Sequence, residues 1–269
     1  MSRLRRILAH PWIRVIAPAA IGILFLASWE GVVRYFEIAP YILPGPLLVI
    51  KTLWTDGGSL MGSLWVTLRI TGVAFASAVV LGGIIAILFS QSRLLEISLF
   101  PYAVALQVTP VVSIAPLIIV WTRGDYFLAL LICAWIVAFF PVVANTTLGL
   151  NSVDRNLAAL FQLYGASRWQ SLRYLRLPTA LPYFLAGVRI SGGLALVGVV
   201  VSEFVAETGG AETGLAARIL ESSYRLEIAR EIAALVLLSL AGITIFFVLD
   251  RLSRLLLAHW HESALPDED

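Results

Sequence analysis

The chain has 269 residues, 59% of them apolar and only 13% charged, with a mean hydropathy of +0.90. Soluble domains carry about 25% charged residues, so an ordinary water-soluble domain is excluded, and a net charge of +2 gathered in short clusters gives no basis for nucleic-acid binding. The single cysteine, Cys133, lies in an apolar run; it excludes an intrachain disulfide framework or cysteine metal site and reads as a buried structural thiol.

Taken in order, Arg3, Arg5, Arg6 and Arg14 precede an apolar run from Val15. No small-x-small cleavage site follows and apolar residues resume at Val32, so residues 15–37 read as an uncleaved first span. Pro44-Gly45-Pro46 predicts a turn, and Leu47, Leu48, Ile50, Leu53 and Trp54 a short amphipathic helix lying at the interface. Residues 64–89 form a second span, long enough for about 30 Å of hydrocarbon, and 91–96 a tight polar turn. The third apolar segment, 97–121, is interrupted by Pro101, Pro110 and Pro116, with Gln107, Thr109 and Ser113 nearby. Proline removes a backbone donor, and carbonyls freed at membrane depth need protein or water around them. That segment therefore reads either as facing a wet path or as a kink used only for packing. A turn at 122–125 leads to a fourth span, 126–148, which carries Asn145. The fifth, 183–205, has Gly187, Gly192, Gly193 and Gly198, small residues that let helix backbones approach. A loop at 207–214, an amphipathic helix near 215–224, a sixth span at 232–257 and a polar tail complete the chain.

The longest polar interruption is 153–182, with Arg155, Arg168, Arg173 and Arg176. Asp154 is placed to cap a helix start. Leu157, Leu160, Phe161 and Tyr164 follow at helical spacing. Gly165 suits a left-handed helix end, Ser167 can cap a second helix, and Leu177-Pro178 with Leu181-Pro182 are expected to stop that helix and turn the chain back into the membrane. The residues alone leave two readings, an interfacial helix pair resting on headgroups or an apolar knob with a basic rim that plugs a cytoplasmic protein. Six spans put both termini on one side. The positive-inside rule sets 11 basic residues on the side of the termini and hairpin against 7 on the other, which favours a cytoplasmic hairpin.

Gly165, nine residues, then Leu175-Arg176-Leu177-Pro178 resembles the second half of the E-A-A-x3-G-x9-I-x-L-P loop of bacterial ABC importer permeases. LPGPLLV (43–49), SLWVTLRITG (63–72), PLIIVW (116–121), FFPVVANTTLGL (139–150) and VSEFVAE (201–207) are similar, in order, to the nitrate/taurine/sulfonate permease group. The resemblance implies an all-α integral membrane protein with six transmembrane helices, the type I importer (MetI-like) permease fold, as a single domain in the bacterial inner membrane. It implies that the hairpin is a coupling helix, carried by Asp154, Ala159, Leu160, Phe161, Tyr164, Gly165, Ala166, Ser167, Leu177 and Pro178. Where the family has Glu-Ala-Ala this chain has Ala159-Leu160-Phe161, so an acidic anchor is absent and the knob is more apolar.

The implied partners are a second permease copy, two ATP-binding cassette subunits, an extracytoplasmic solute-binding protein and the lipid bilayer. The chain itself has no G-x4-G-K-[ST] loop and its only lysine is Lys51, so ATP and Mg would be bound by the partner subunit and no cofactor or metal by this chain. Expected path-lining groups are Gln107, Thr109, Ser113, Asn145, Ser202 and Glu203; Glu203 has the alternatives of pairing with Arg189 or capping a loop, and Glu207 is expected in water. A secondary transporter would show inverted repeats and paired broken helices, and only one segment is strongly broken. A membrane enzyme would need clustered acids or histidines, whereas His10, His259 and His261 sit only at the chain ends. The solute expected is small and polar or anionic, sulfonate-, taurine- or nitrate-like, or a thiamine-type pyrimidine precursor.

Overall fold

The computed structural model describes residues 13–206 and 213–257. The arginines at 3, 5 and 6, His10, most of the 207–214 loop with Glu207, and the tail with His259 and His261 lie outside the described residues. Every regular element among the described residues is helical. α1 (Ile13–Tyr35) precedes a short α2 (Pro46–Thr55); then come α3 (Gly57–Gln91), α4 (Arg93–Val108), α5 (Val111–Trp121) and α6 (Tyr126–Asn151). α7 (Arg155–Leu163), α8 (Arg168–Ser171), a π-helical stretch Leu172–Arg176 and α9 (Leu177–Ala206) follow, and then α10 (Leu215–Tyr224) and α11 (Ile228–Leu257). Among the described residues five stretches are long and apolar enough to cross a membrane: Ile16–Tyr35, α3, α6, the run Arg168–Ala206 and α11. The α4–α5 pair, bent by 100°, makes a sixth if counted as one span.

Two expectations about proline are corrected. Pro101 and Pro116 do not break the third segment; they lie inside α4 and α5, and the chain breaks only at Thr109-Pro110. Thr109 is extended (φ −69°, ψ 123°), the conformation a following proline imposes, and its hydroxyl donates to the Ala105 carbonyl at 2.7 Å. Pro178 and Pro182 do not stop the hairpin's second helix either. Helix runs unbroken from Arg168 to Ala206 because the π stretch shifts the hydrogen-bond register, with the Leu177 N–H donating to Leu172, so that Pro178 falls in the first turn of α9, where its missing N–H matters least. The 91–96 turn reduces to one residue, Ser92, which caps α4 by accepting the Leu95 N–H.

By packing, the described chain forms two compact units. The first comprises the residues up to Met61 with Arg218–Val236. In it, α1 carries exposed apolar side chains around its circumference (Ile21, Ile23, Leu24 and Phe25 are 63–71% exposed), which is stable only in lipid or against another chain. Glu30 of α1 accepts the Leu47 N–H at 3.2 Å and so caps α2, which buries Pro46 and Val49 and turns Leu47, Ile50 and Trp54 outward, as an interfacial helix should.

The second unit comprises Gly62–Ala217 and the residues from Leu237 on. Its centre is α6 against α9. A Cβ at Gly187 would lie 2.7 Å from the Pro141 carbonyl, and one at Gly198 2.8 Å from the Ala134 Cα, so both positions need glycine to let the backbones meet. The two are three helical turns apart and therefore on one face; on that face the Ser191 hydroxyl donates to the Ala138 carbonyl at 2.7 Å. Ala78, Phe139, Val143 and Ala195 pack around this seam, and Ala115, Ile118, Ala129 and Cys133 join α5 to α6. Cys133 is the buried thiol expected.

Candidate functional site

The hairpin is built by local capping chemistry. Asp154 accepts the N–H groups of Asn156 (2.7 Å) and Leu157 (3.1 Å), satisfying donors that α7 cannot pair internally. At the other end Gly165 has φ +68°, the Ala166 N–H reaches the Phe161 carbonyl (2.9 Å) and the Gly165 N–H reaches Gln162 (3.0 Å), a Schellman closure. Ser167 and Gln170 then form a reciprocal capping box at 2.7 and 3.2 Å, starting α8.

This geometry leaves an unusual surface uncovered. Leu163 and Tyr164 are 83% and 82% exposed, and Leu157, Leu160, Trp169 and Tyr174 are exposed as well. Leu160, Phe161, Tyr164, Ala166, Gln170 and Tyr174 line an open cleft of about 380 Å³ between the two helices. In place of the family's Glu-Ala-Ala, Ala159 and Leu160 face solvent and Phe161 is half-buried in the cleft wall. Arg155, Arg168 and Arg173 are exposed around it, and the Arg173 guanidinium sits 5.8 Å from the Tyr174 ring. Arg176 departs from the expected rim: it turns inward, donating to the Ser90 carbonyl at the end of α3 (3.1 Å). Leu172 and Leu175 are buried beside it, Leu172 packing with Ala86, Leu150 and Ala180 of α3, α6 and α9. The knob is thus bolted to three membrane helices by its π-helical base, while Leu177 and Pro178 stay exposed at the start of α9.

The other expected residues do not gather into one place. Gln107 and Ser113 are exposed on either side of the α4–α5 break, with Thr109 at the break itself. Asn145 is half-buried and donates to the Pro141 carbonyl (2.8 Å), and Ser202 is buried, donating to Gly198 (2.7 Å). Glu203 does not pair with Arg189. Arg189 binds Asp250 of α11 at 3.0 Å, and Asp250 also takes Arg254 at 2.9 Å. Glu203 instead accepts the Thr67 hydroxyl and the Ala216 N–H, each at 2.8 Å, capping α10. Asp250 went unremarked in the sequence, although an acid within an apolar run, four residues before an arginine, was the available signal. Among the described residues no cluster of His, Cys, Asp and Glu could hold a metal ion.

Residues 78–260 match the family described as binding-protein-dependent transport system inner membrane component. The chain is 33% identical, over 97% of its length and 96% of the relative's, to a riboflavin transport system permease protein of Chloroflexus aurantiacus. It is 29% identical to a formylaminopyrimidine transport permease protein of Halalkalibacterium halodurans, over 91% of this chain and 96% of that one. A crystal structure of an amino acid ABC transporter with histidines has the same fold, with a TM-score of 0.62 over 76% of this chain and 97% of that one, at 19% identity. With its all-helical spans and capped polar hairpin, the chain belongs to the binding-protein-dependent inner-membrane permeases of ABC importers, in the group that holds the sulfonate, taurine and nitrate permeases.

Proposed function

We propose that this permease couples ATP hydrolysis in a separate partner subunit to alternating access for a small solute, through the hairpin of α7 and α8. The observation that carries the reading is the hairpin itself: an exposed apolar and aromatic cleft, ringed by arginines, rigidly capped and fastened to α3, α6 and α9. Asp154, Gly165, Ala166 and Ser167 fix its shape. Ala159, Leu160, Phe161 and Tyr164 form the docking face, and Leu177 and Pro178 transmit its movement into α9. ATP and Mg belong to the partner subunit. A packed element of this kind converts closure of two ATPase subunits into rigid-body tilting of the spans. The hairpin and both termini lie in the cytoplasm, two copies of the permease pair, and an extracytoplasmic binding protein delivers the solute. Gln107, Thr109 and Ser113 at the α4–α5 break, with Asn145, line the path.

The solute is a sulfonate-, taurine- or nitrate-like anion or a pyrimidine-type heterocycle. The names of the two relatives above support the heterocycle branch. The coupling role is tested with Phe161→Asp and Gly165→Asp. Both variants should insert at wild-type levels, but the ATPase subunit that co-purifies with the tagged wild-type permease should be lost. Wild-type recovery of an active ATPase with either variant would sink the role. Uptake of labelled riboflavin, formylaminopyrimidine and taurine by cells expressing the full system separates the solute classes.

A further inference from the structure

Glu203 and Thr67 lie at the end of α9 far from the hairpin, and both are fully buried. The Thr67 hydroxyl of α3 donates to Glu203 Oε1 (2.8 Å) and accepts the Leu215 N–H (2.8 Å); Glu203 Oε2 accepts the Ala216 N–H (2.8 Å). Leu215 and Ala216, the first residues of α10, are themselves fully buried. The Gly214 backbone passes so close that a Cβ there would fall onto the Glu203 carboxylate. The site is therefore filled and closed: it holds a helix, not a ligand.

We propose that Thr67 and Glu203 form a latch that fastens the first turn of α10 to α3 and α9, and that the latch is released and remade during the transport cycle. This rests on the ATP-coupled reading above. Two features carry it. First, the helix that leaves the hairpin at Arg168 continues to Ala206, so about 50 Å of unbroken helix joins the knob to the latch, at about 1.5 Å per residue, and a tilt imposed at one end is delivered at the other. Second, the donors named above are all neutral. A buried carboxyl group gives up its solvation, and when the first turn of α10 withdraws, water can replace the lost bonds. Hydration then offsets part of the loss of the latch bonds, which narrows the gap between closed and open arrangements, as a two-state element requires. Glu203 is on this view a positioning residue that touches no solute.

The test is hydrogen exchange on the full-length permease in nanodiscs, with and without its co-purified ATPase. In the permease alone, Glu203→Gln and Thr67→Val should each speed exchange of the Leu215–Ala217 amides about tenfold, while Thr67→Ser, which keeps the hydroxyl, should match wild type and amides of α6 should not change. In the complex, ATP with vanadate should change exchange at those same amides in wild type but not in Glu203→Gln. Unchanged exchange in both Glu203→Gln and Thr67→Val would overturn the latch. Exchange that responds to nucleotide at the hairpin but not at α10 would overturn its part in the cycle. If nucleotide alters neither place while the variant effects persist, it is the ATP-coupled reading that fails, and the latch's role in the cycle with it.

Discussion

At the scale of single residues, charge and shape decide the outcome. Phe161 closes one wall of the hairpin cleft and stands where the family has an alanine. A carboxylate there would be desolvated by any docked apolar partner. Phe161→Asp should weaken association with the ATPase by roughly 2 kcal/mol, about 30-fold, measurable as the dissociation constant of the detergent-solubilised complex. Glu221 of α10 offers a pH effect outside the spans. Its hydrogen bond to Arg218 (2.7 Å) holds the carboxyl below its ordinary value, the charges of Arg218, Arg225 and Arg230 act in the same direction, and partial burial opposes them. A carboxyl with a depressed folded-state value contributes stability that is complete above the ordinary carboxylate range and is lost as pH falls through the folded value. Exchange of the α10 amides around Glu221 should therefore rise between about pH 5 and pH 3 in wild type, relative to intrinsic exchange, and Glu221→Gln should abolish that dependence.

At the scale of elements, the hairpin is a small structure whose caps and anchors can be removed one at a time. Gly165 holds φ +68°, and beyond its own chain neighbours no atom lies within 4 Å of where a Cβ would stand, so Gly165→Ala is a matter of backbone conformation and not of space. It should cost roughly 1–2 kcal/mol of local stability, seen as faster exchange of the Gly165 and Ala166 amides. Arg176 binds the last turn of α3, and Arg176→Ala removes a charged hydrogen bond worth about 1.5–3 kcal/mol. The π stretch should then exchange faster while the α7 cap at Asp154 is untouched. If the caps and anchors are independent, as their separation implies, the two losses add.

At the scale of the whole molecule, the close approach of α6 and α9 limits what the second unit tolerates. Gly198 has the Ala134 backbone 2.8 Å from where a Cβ would be, and backbone cannot give way as a side-chain tip can. Gly198→Leu should abolish the folded permease, and Gly198→Ala should lower its thermal unfolding temperature by an amount equivalent to about 1–3 kcal/mol. Gly193, on the same helix with open space around it, is the control, and Gly193→Ala should leave the unfolding temperature near wild type. Equal losses at the two positions would show that the close approach at Gly198 does not set the cost, since helix propensity alone favours alanine at both. The proposed ATP coupling is likewise tested at this scale, because the hairpin would move usefully only if α9 transmits as one body.

Much of this was legible in the chain. The long apolar runs marked the membrane helices because hydrocarbon thickness imposes a length and removes every alternative to internally bonded backbone. Asp154, Gly165 and Ser167 marked the hairpin because caps and left-handed turns are made within four or five residues. What could not be read were the bonds between distant positions. Thr67 and Glu203 are 136 residues apart and Ser90 and Arg176 are 86 apart, and nothing local announces either pair. The sequence misplaces the proline breaks for the same reason: of the five prolines expected to interrupt or stop a helix, only Pro110 does so. Pro110 breaks its helix by 100° while Pro178 and Pro182 are carried through theirs. Proline fixes only the loss of a donor and a local clash. Whether a helix yields there depends on what packs against it, and for Pro178 that is a π-helical base seated on α3, α6 and α9, which only the tertiary structure supplies.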